Sequence, residues 1–264
     1  MSTEMSTGHE STLAERYELV KGKIEEAALR DERRASDVLL VVVTKNAGFD
    51  SIRELIDLGH TDFGENRAQQ LVARAAQAEE YIDRISSLPE VSGREAPGPL
   101  NWHMIGRLQR NKVRKVLESS RLVHSIDSLR LAEEIQTHAA KLGQIAEVLI
   151  EVDVSGEVSK TGVAPAAVRH VIDQIDTMLN VRPRGVMCMA PLTDDCDVVR
   201  DVFSRCREVF EDIRRVGAGG EGCSVLSMGM SNDYEIAIEC GANLVRIGSA
   251  VIGDAASEPN EPNE

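Results

Sequence analysis

Short apolar runs alternate with segments of helical periodicity along most of this chain. The runs are VLLVVVT (38–44), TDFGEN (61–66), NWHMIG (101–106), RLVHSID (121–127), AEVLIEVDV (146–154), RGVMCMA (184–190), SVLSMGM (224–230) and NLVRIGSAV (243–251), eight in all. Runs such as 38–44 and 146–152 are apolar almost without interruption, the pattern of strands buried on both faces of a parallel sheet. Between the runs, Ile52, Leu55 and Ile56 share one helical face of 50–59; Ser51 and Glu54 there have capping-box spacing, and Gly59 is placed to end the helix. Ala132, Ile135, Ala139 and Leu142 form a stripe that stops at Gly143. Val199, Val202, Phe203, Cys206, Val209, Phe210 and Ile213 form another that stops at Gly217. Eight strands alternating with helices over roughly 250 residues predict an α/β protein built as a single (β/α)8 TIM barrel. An open doubly wound sheet is the alternative, weakened because no G-x-G-x-x-G follows the first run.

Residues 10–31 fall outside this alternation and predict an extra N-terminal helix, with Leu13, Leu19, Val20 and Ile24 covering the bottom or side of the barrel. Residues 86–100 are a loop rich in Pro, Gly and Ser. The expected organisation is a disordered N-terminus (1–9), a barrel (10–253) and a disordered acidic tail (254–264). Composition narrows the class further. With 30 Lys+Arg against 44 Asp+Glu the formal charge is −14, which disfavours general binding to nucleic acid or anionic membranes. The first residues have neither a basic nor an apolar signal region, and no stretch has the apolar length of a membrane span, so a cytoplasmic protein is expected. Cys188, Cys196, Cys206, Cys223 and Cys240 are odd in number and widely spaced, which fits reduced thiols rather than a disulfide framework or zinc site. No metal is expected.

In a barrel the chemistry gathers at the C-terminal ends of the strands, and the loops after strands seven and eight often hold phosphate. Those ends read SMGMSND (227–233) and RIGSA (246–250) here. Glycine lets backbone N–H groups approach an anion, and serine adds a hydroxyl. Ser231 is also placed to cap the helix NDYEIAIECG. Ordinary βα turns are the plainer alternative. Lys45 falls at the end of the first strand, on the same face of the barrel. It is either a soluble exit from the core or an amine in a dry site, where lost proton affinity makes it a nucleophile for carbonyls. A carbonyl-bearing phosphate ester suits both features. That leaves a Schiff-base aldolase acting on a sugar phosphate, or a protein holding pyridoxal 5′-phosphate (PLP). Arg246 shares a strand face with Gly248 and is placed to contact the phosphate or the pyridine nitrogen. A guanidinium has only donors, so it would leave that nitrogen unprotonated and weaken PLP as an electron sink.

The segments VVTKN, FGENR, WHMIGRLQRNKVRKV, HSID, SKTGV, MCMAP and LSMGMSNDYEIAIECGANLVRIGSAVIG resemble the pyridoxal phosphate homeostasis protein family, from about Val38 to Gly253. The resemblance implies a single barrel like the N-terminal domain of alanine racemase, with PLP held as a Schiff base on Lys45. It implies a phosphate site at Ser231, Gly248 and Ser249, with Arg246 as the family arginine and Asn66 and His103 lining the pocket. Met228 is added as a methionine that packs against the cofactor ring, although most such methionines, Met187, Met189 and Met230 included, are core packing.

Binding PLP is not catalysis. A racemase needs an acid/base group on each face of the substrate carbon, and alanine racemase draws one from a second domain that the eleven residues after Gly253 do not supply. Of the tyrosines, Tyr17 and Tyr81 fall on peripheral helices, and Tyr234 is expected to pack or cap. The expected function is therefore non-enzymatic: a PLP carrier that maintains vitamin B6 supply and influences amino-acid and keto-acid pools. The alternatives are a racemase-like enzyme or a Schiff-base aldolase. Expected partners are PLP and PLP-dependent apoenzymes, with no nucleic acid or membrane, in a monomer or weak dimer. The basic cluster Arg107, Arg110, Lys112, Arg114 and Lys115 lacks interleaved aromatics, so a solvated helix face or a dock for an acidic partner fits better than nucleic acid. Lys160 is a second amine, in a polar loop where water keeps it protonated.

Overall fold

Eight parallel strands close into a barrel in chain order. They are β1 (Leu39–Val43), β2 (Asp62–Glu65), β3 (Asn101–Met104), β4 (Ser120–Ile126), β5 (Ala146–Glu151), β6 (Val181–Met187), β7 (Val225–Ser227) and β8 (Leu244–Ile247). Closure is completed by β1 pairing with β8 in the register Val41↔Arg246 and Val42↔Ile247. The computed structural model describes residues 11–87, 98–154 and 161–253. The expected termini, most of the 86–100 loop and Lys160 lie outside the described residues.

The helices are α1 (Leu13–Arg30), α2 (Phe49–Asp57), α3 (Ala68–Ser87), α4 (Val113–Leu117), α5 (Leu129–Leu142), α6 (Pro165–Asp176), α7 (Cys196–Val216), α8 (Tyr234–Glu239) and α9 (Ser249–Ile252). Their apolar stripes meet the outward strand residues in one large core. Ile52, Leu55, Phe63 and Phe203 are fully enclosed there, each contributing about 1.5–3 kcal/mol by burial. Phe63 and Trp102, paired across β2 and β3, stack at 5.2 Å in the same layer. A second, smaller cluster of Val41, Leu122, Leu149, Met187 and Leu244 fills the lumen.

The last two helices are too short to cover the strands beside them, and α1 covers the gap. It packs on α8 and α9, and Arg16 donates to the carbonyls of Val251 (3.0 Å) and Ile252 (2.8 Å). The N-terminal helix therefore lies on the side of the barrel, with Leu19 exposed. Its start carries a Thr12/Glu15 capping box.

Three local expectations are corrected. Helix α2 begins at Phe49 because a turn closed by the Ala47 N–H on the Thr44 carbonyl (2.8 Å) brings it in early, so Ser51 and Glu54 are not a capping box. Strand β6 begins at Val181, three residues before the predicted run; Pro183 is tolerated because the pairing with β5 shifts register beside it. Strand β8 ends at Ile247, and Ser249–Ile252 turns into helix.

Candidate functional site

Val41 points into the lumen. Side chains alternate along a strand, so Val43 and then Lys45 lie on the same side. Lys45 thus leaves β1 at the mouth of the barrel. It sits two residues past the strand in a turn and is exposed, as a soluble exit from the core would be. The turn itself is firmly held. The Arg74 guanidinium, from α3, donates to the carbonyls of Thr44 and Ala47 (2.6 Å to Ala47) and pairs with Glu65 at the end of β2. The Thr44 hydroxyl donates to the same Glu65 carboxylate. Glu65 is fully buried, and burial raises its pKa against the opposing pull of Arg74.

Across the β1–β8 pairing stands the serine–glycine loop. The Gly248 and Ala250 N–H groups both donate to Ser231 Oγ, at 3.1 and 3.4 Å. A Cβ on Gly248 would lie 3.3 Å from the Val43 carbonyl oxygen, so a bare backbone is what fits there. Ser231 does not cap α8 as expected. The cap position is Asp233, whose carboxylate accepts from the Met230 N–H instead (2.5 Å), and the Ser231 hydroxyl is turned toward the start of α9. Ser249 is the first residue of α9.

Arg246 lies one inward layer below Gly248, 3 % exposed. It donates through Nη1 to Ser227 Oγ and through Nη2 to the Cys188 carbonyl (2.9 Å). Burial works against its charge and lowers its pKa, while Asp233 and Glu151 favour the charge. From Ser227 a chain of contacts runs down the lumen. Ser227 Oγ meets His124 Nδ1 at 3.2 Å, His124 Nε2 meets His103 Nδ1 at 3.0 Å, and His103 Nε2 meets Asp62 Oδ1 at 3.2 Å. Arg246 has only donors and an ionised Asp62 only accepts, so one direction satisfies every link. The guanidinium donates to Ser227, the hydroxyl to His124, and each imidazole donates onward through Nε2–H. Burial, with His103 and Arg246 nearby, pushes the His124 pKa well below its usual value and keeps the ring neutral. His103 was expected to line the pocket. It lies deeper, with both nitrogens engaged in this chain. Met228 was expected against the cofactor. It is fully buried on the opposite side of β7, in the core shared with the helices, because it alternates with the inward Ser227.

Replacing Arg246 with methionine is expected to lower stability by about 2 kcal/mol, since the Ser227 hydroxyl and Cys188 carbonyl lose their buried donor. Thermal melting should fall by about 4–8 °C in a domain of this size. An unchanged melting temperature would sink the reading of Arg246 as the head of the chain.

Asn66 follows β2 on the lumen side and lies at the rim, where it lines a cleft of about 1060 Å³ over the β2–β5 half of the mouth. A Cβ on Gly106 would stand 2.2 Å from the Asn66 carbonyl oxygen, so Gly106 permits the loops after β2 and β3 to meet. The structure thus brings Lys45, Ser231, Gly248 and Ser249 to adjoining strand ends and Asn66 to the rim. Arg246 and His103 lie beneath, and Met228 lies outside the lumen. Asp62, His124, Ser227, Glu65 and Arg74 went unread in the sequence. Among the described residues, no group of three or more His, Cys, Asp or Glu is gathered as for a metal.

A closed parallel barrel with a lysine and a serine–glycine loop on adjacent strands defines a class. Residues 23–256 match the family model described as alanine racemase, N-terminal domain. A pyridoxal phosphate homeostasis protein from Aquifex aeolicus is 35% identical over 240 residues, covering 91% of this chain and 97% of that one. The chain belongs to the pyridoxal phosphate homeostasis protein family. Among solved structures, a protein of unknown function from Bifidobacterium adolescentis is 34% identical with a TM-score of 0.81, covering 90% of this chain and 94% of that one. PipY of Synechococcus elongatus, solved with PLP bound, is 28% identical with a TM-score of 0.73, covering 92% of this chain and all of PipY. Among the described residues no helix is long and apolar enough to cross a membrane.

Proposed function

We propose that this protein holds PLP at the mouth of the barrel, on Lys45, and serves the supply of that cofactor rather than turning over a substrate. The observation that carries the reading is the juxtaposition of the Lys45 amine on β1 with the serine–glycine loop on the adjoining β8. The residues present fit the group. The Gly248 and Ala250 N–H groups already converge on one oxygen, Ser231 Oγ, and the bare backbone of Gly248 leaves room that a Cβ would fill. The names of the relatives and the PLP in PipY point the same way.

Bound PLP supplies an aldehyde that condenses with a primary amine, releasing water, together with a phosphate dianion. Lys45 Nζ supplies the amine, and Arg74 holds the turn that aims it. Ser231 and Ser249 would hold the phosphate, with the Gly248 and Ala250 N–H groups, which donate to Ser231 Oγ, behind them. Arg246 lies beneath the loop, where it would meet the ring nitrogen of a bound cofactor. It offers only donors, so it leaves that nitrogen without a proton, which suits storage better than carbanion chemistry. The tyrosines support the same reading. Tyr17 bonds His60 Nδ1 at 3.2 Å, and Tyr81 bonds Asp57 at 2.8 Å. Tyr234 is buried, its phenol pushed up to about 12 by burial.

The test is the visible absorbance of protein loaded with PLP, followed by borohydride reduction and peptide mapping. A band that disappears in Lys45→Ala, with the added pyridoxyl mass on Lys45 in the parent, is expected. Racemase and transaminase assays on the same loaded protein should show no turnover. No band after adding PLP would overturn the cofactor reading; robust turnover would overturn the carrier.

A further inference from the structure

The basic cluster between Arg107 and Lys115 divides in the folded protein. Arg114 pairs with Glu118 at 3.2 Å along α4, and Lys115 is exposed on the same helix. Arg107, Arg110 and Lys112 instead line the cleft over β2–β5, where Arg67 from the loop after β2 and Arg130 from the first turn of α5 join them. Five cations from three separate βα connections therefore share one cavity. Asp127 is the one carboxylate among its described lining residues. Its contact with Arg107 is long, 3.8 Å, and Arg107 is 73% exposed, so that pair neutralises little. Arg67, Arg110, Lys112 and Arg130 form no ion pair among the described residues. Gathered like charges repel one another, and a chain of formal charge −14 has ample carboxylates to neutralise them. Among the described residues the cleft leaves these four cations unneutralised.

From this we infer that the protein has a second anion site, separate from the serine–glycine loop, that binds a small organic molecule carrying several phosphate or carboxylate groups. Arginine presents a planar fork that matches both groups two bonds at a time, and a ligand with more than one anionic end engages forks from different loops at once. The cleft volume suits a small ligand. No aromatic side chain is among its described lining residues, which disfavours a nucleic-acid strand. Ser231, Gly248 and Ser249 do not line it; of the residues expected around the cofactor, Asn66 alone reaches its rim.

Calorimetric titration with two probes, pyrophosphate and tricarballylate, tests the site and separates phosphate from carboxylate preference. The variants are Arg67→Gln/Arg110→Gln/Arg130→Gln together, Arg130→Gln alone should the triple variant fold poorly, and Ser231→Ala. At least one probe is expected to bind the parent protein, more weakly as salt is raised. Binding should weaken about tenfold or more in the triple variant and about threefold in the single one, a loss that Ser231→Ala, outside the cleft, does not reproduce. The inference is overturned if neither probe binds at millimolar concentration. It is equally overturned if the cleft variants bind as the parent does, or if the loss appears only in Ser231→Ala. Neither probe carries an aldehyde, so failure of PLP to attach at Lys45 would leave this outcome intact.

Discussion

Replacing Arg74 with leucine is expected to destabilise the protein by about 3–5 kcal/mol at pH 7 and by much less at pH 5. Glu65 is fully buried, and Arg74 is the cation that faces it. One carboxylate oxygen, Oε2, has no hydrogen-bond partner among the described residues even with the pair intact. Removing the guanidinium leaves a buried carboxylate with the Thr44 hydroxyl and the Asn66 backbone N–H as its remaining partners. The sign of the pH effect follows from the direction of the shift. Burial raises the Glu65 pKa in the folded state, and Arg74 is the main influence pulling it back down. Without Arg74 the folded protein holds that proton more tightly still. A group whose pKa is higher folded than unfolded contributes its stability below the unfolded value and loses it as pH rises through the folded value. The variant should therefore recover much of its deficit on acidification, by protonating Glu65. Melting at pH 5 and pH 7 measures this directly, and an equal deficit at both would refute it. The same substitution removes the Arg74 donor from the Thr44 and Ala47 carbonyls and leaves only the Ala47 N–H on Thr44 to close the turn bearing Lys45, so that turn loosens. PLP affinity should fall with Lys45 itself untouched, which marks Arg74 as a positioning residue.

Period made the fold legible. Near-continuous apolar runs such as 38–44 announced strands covered on both faces, and stripes ending at Gly143 and Gly217 announced α5 and α7. The placement of the candidate site was legible where residue type alone carries meaning: an amine at a strand end, and serine with glycine at the ends of strands seven and eight. It was not legible where meaning depends on which side of a strand a residue faces. Met228 and Ser227 are neighbours, yet one packs against the helices and the other meets Arg246 in the lumen. His103 looks like a pocket residue beside Trp102, but the pairing of Gly64 with His103 sets it at a level where Asp62 and His124 reach it. The signal was present: histidine or serine at inward positions within apolar runs, as in RLVHSID and SVLSMGM. A buried polar side chain needs a partner, and two such runs on different strands supply one another. The Arg74–Glu65 pair spans a strand and the helix that follows it, and no periodicity marks it. The basic run from Arg107 to Lys115 was visible, but its division between helix face and cleft depended on loops 40 or more residues away along the chain, at Arg67.

Gly185 is the position where one added methyl group is expected to do the most damage. It sits in β6 at φ +145°, opposite Val225 of β7, where the pairing of β6 with β5 also shifts register. A Cβ there would stand 1.8 Å from the Val225 carbonyl oxygen and 2.7 Å from its carbonyl carbon. Those are backbone atoms of a paired strand and cannot swing aside as a side chain does. Gly185→Ala must therefore part β6 from β7, and that seam delivers both acceptors of Arg246, the Cys188 carbonyl and Ser227 Oγ. Backbone strain and overpacking together come to about 4 kcal/mol or more, which lowers the melting temperature by about 8–16 °C. Gly217→Ala is the control. Its φ is +71°, and nothing lies within 4 Å of the added carbon, so only the left-handed backbone is penalised, at about 1–2 kcal/mol. If the two variants melt together, the contact between β6 and β7 does not constrain the barrel as its geometry requires. If Gly185→Ala melts far below the control and also binds PLP weakly, the seam is what carries Arg246 to its place.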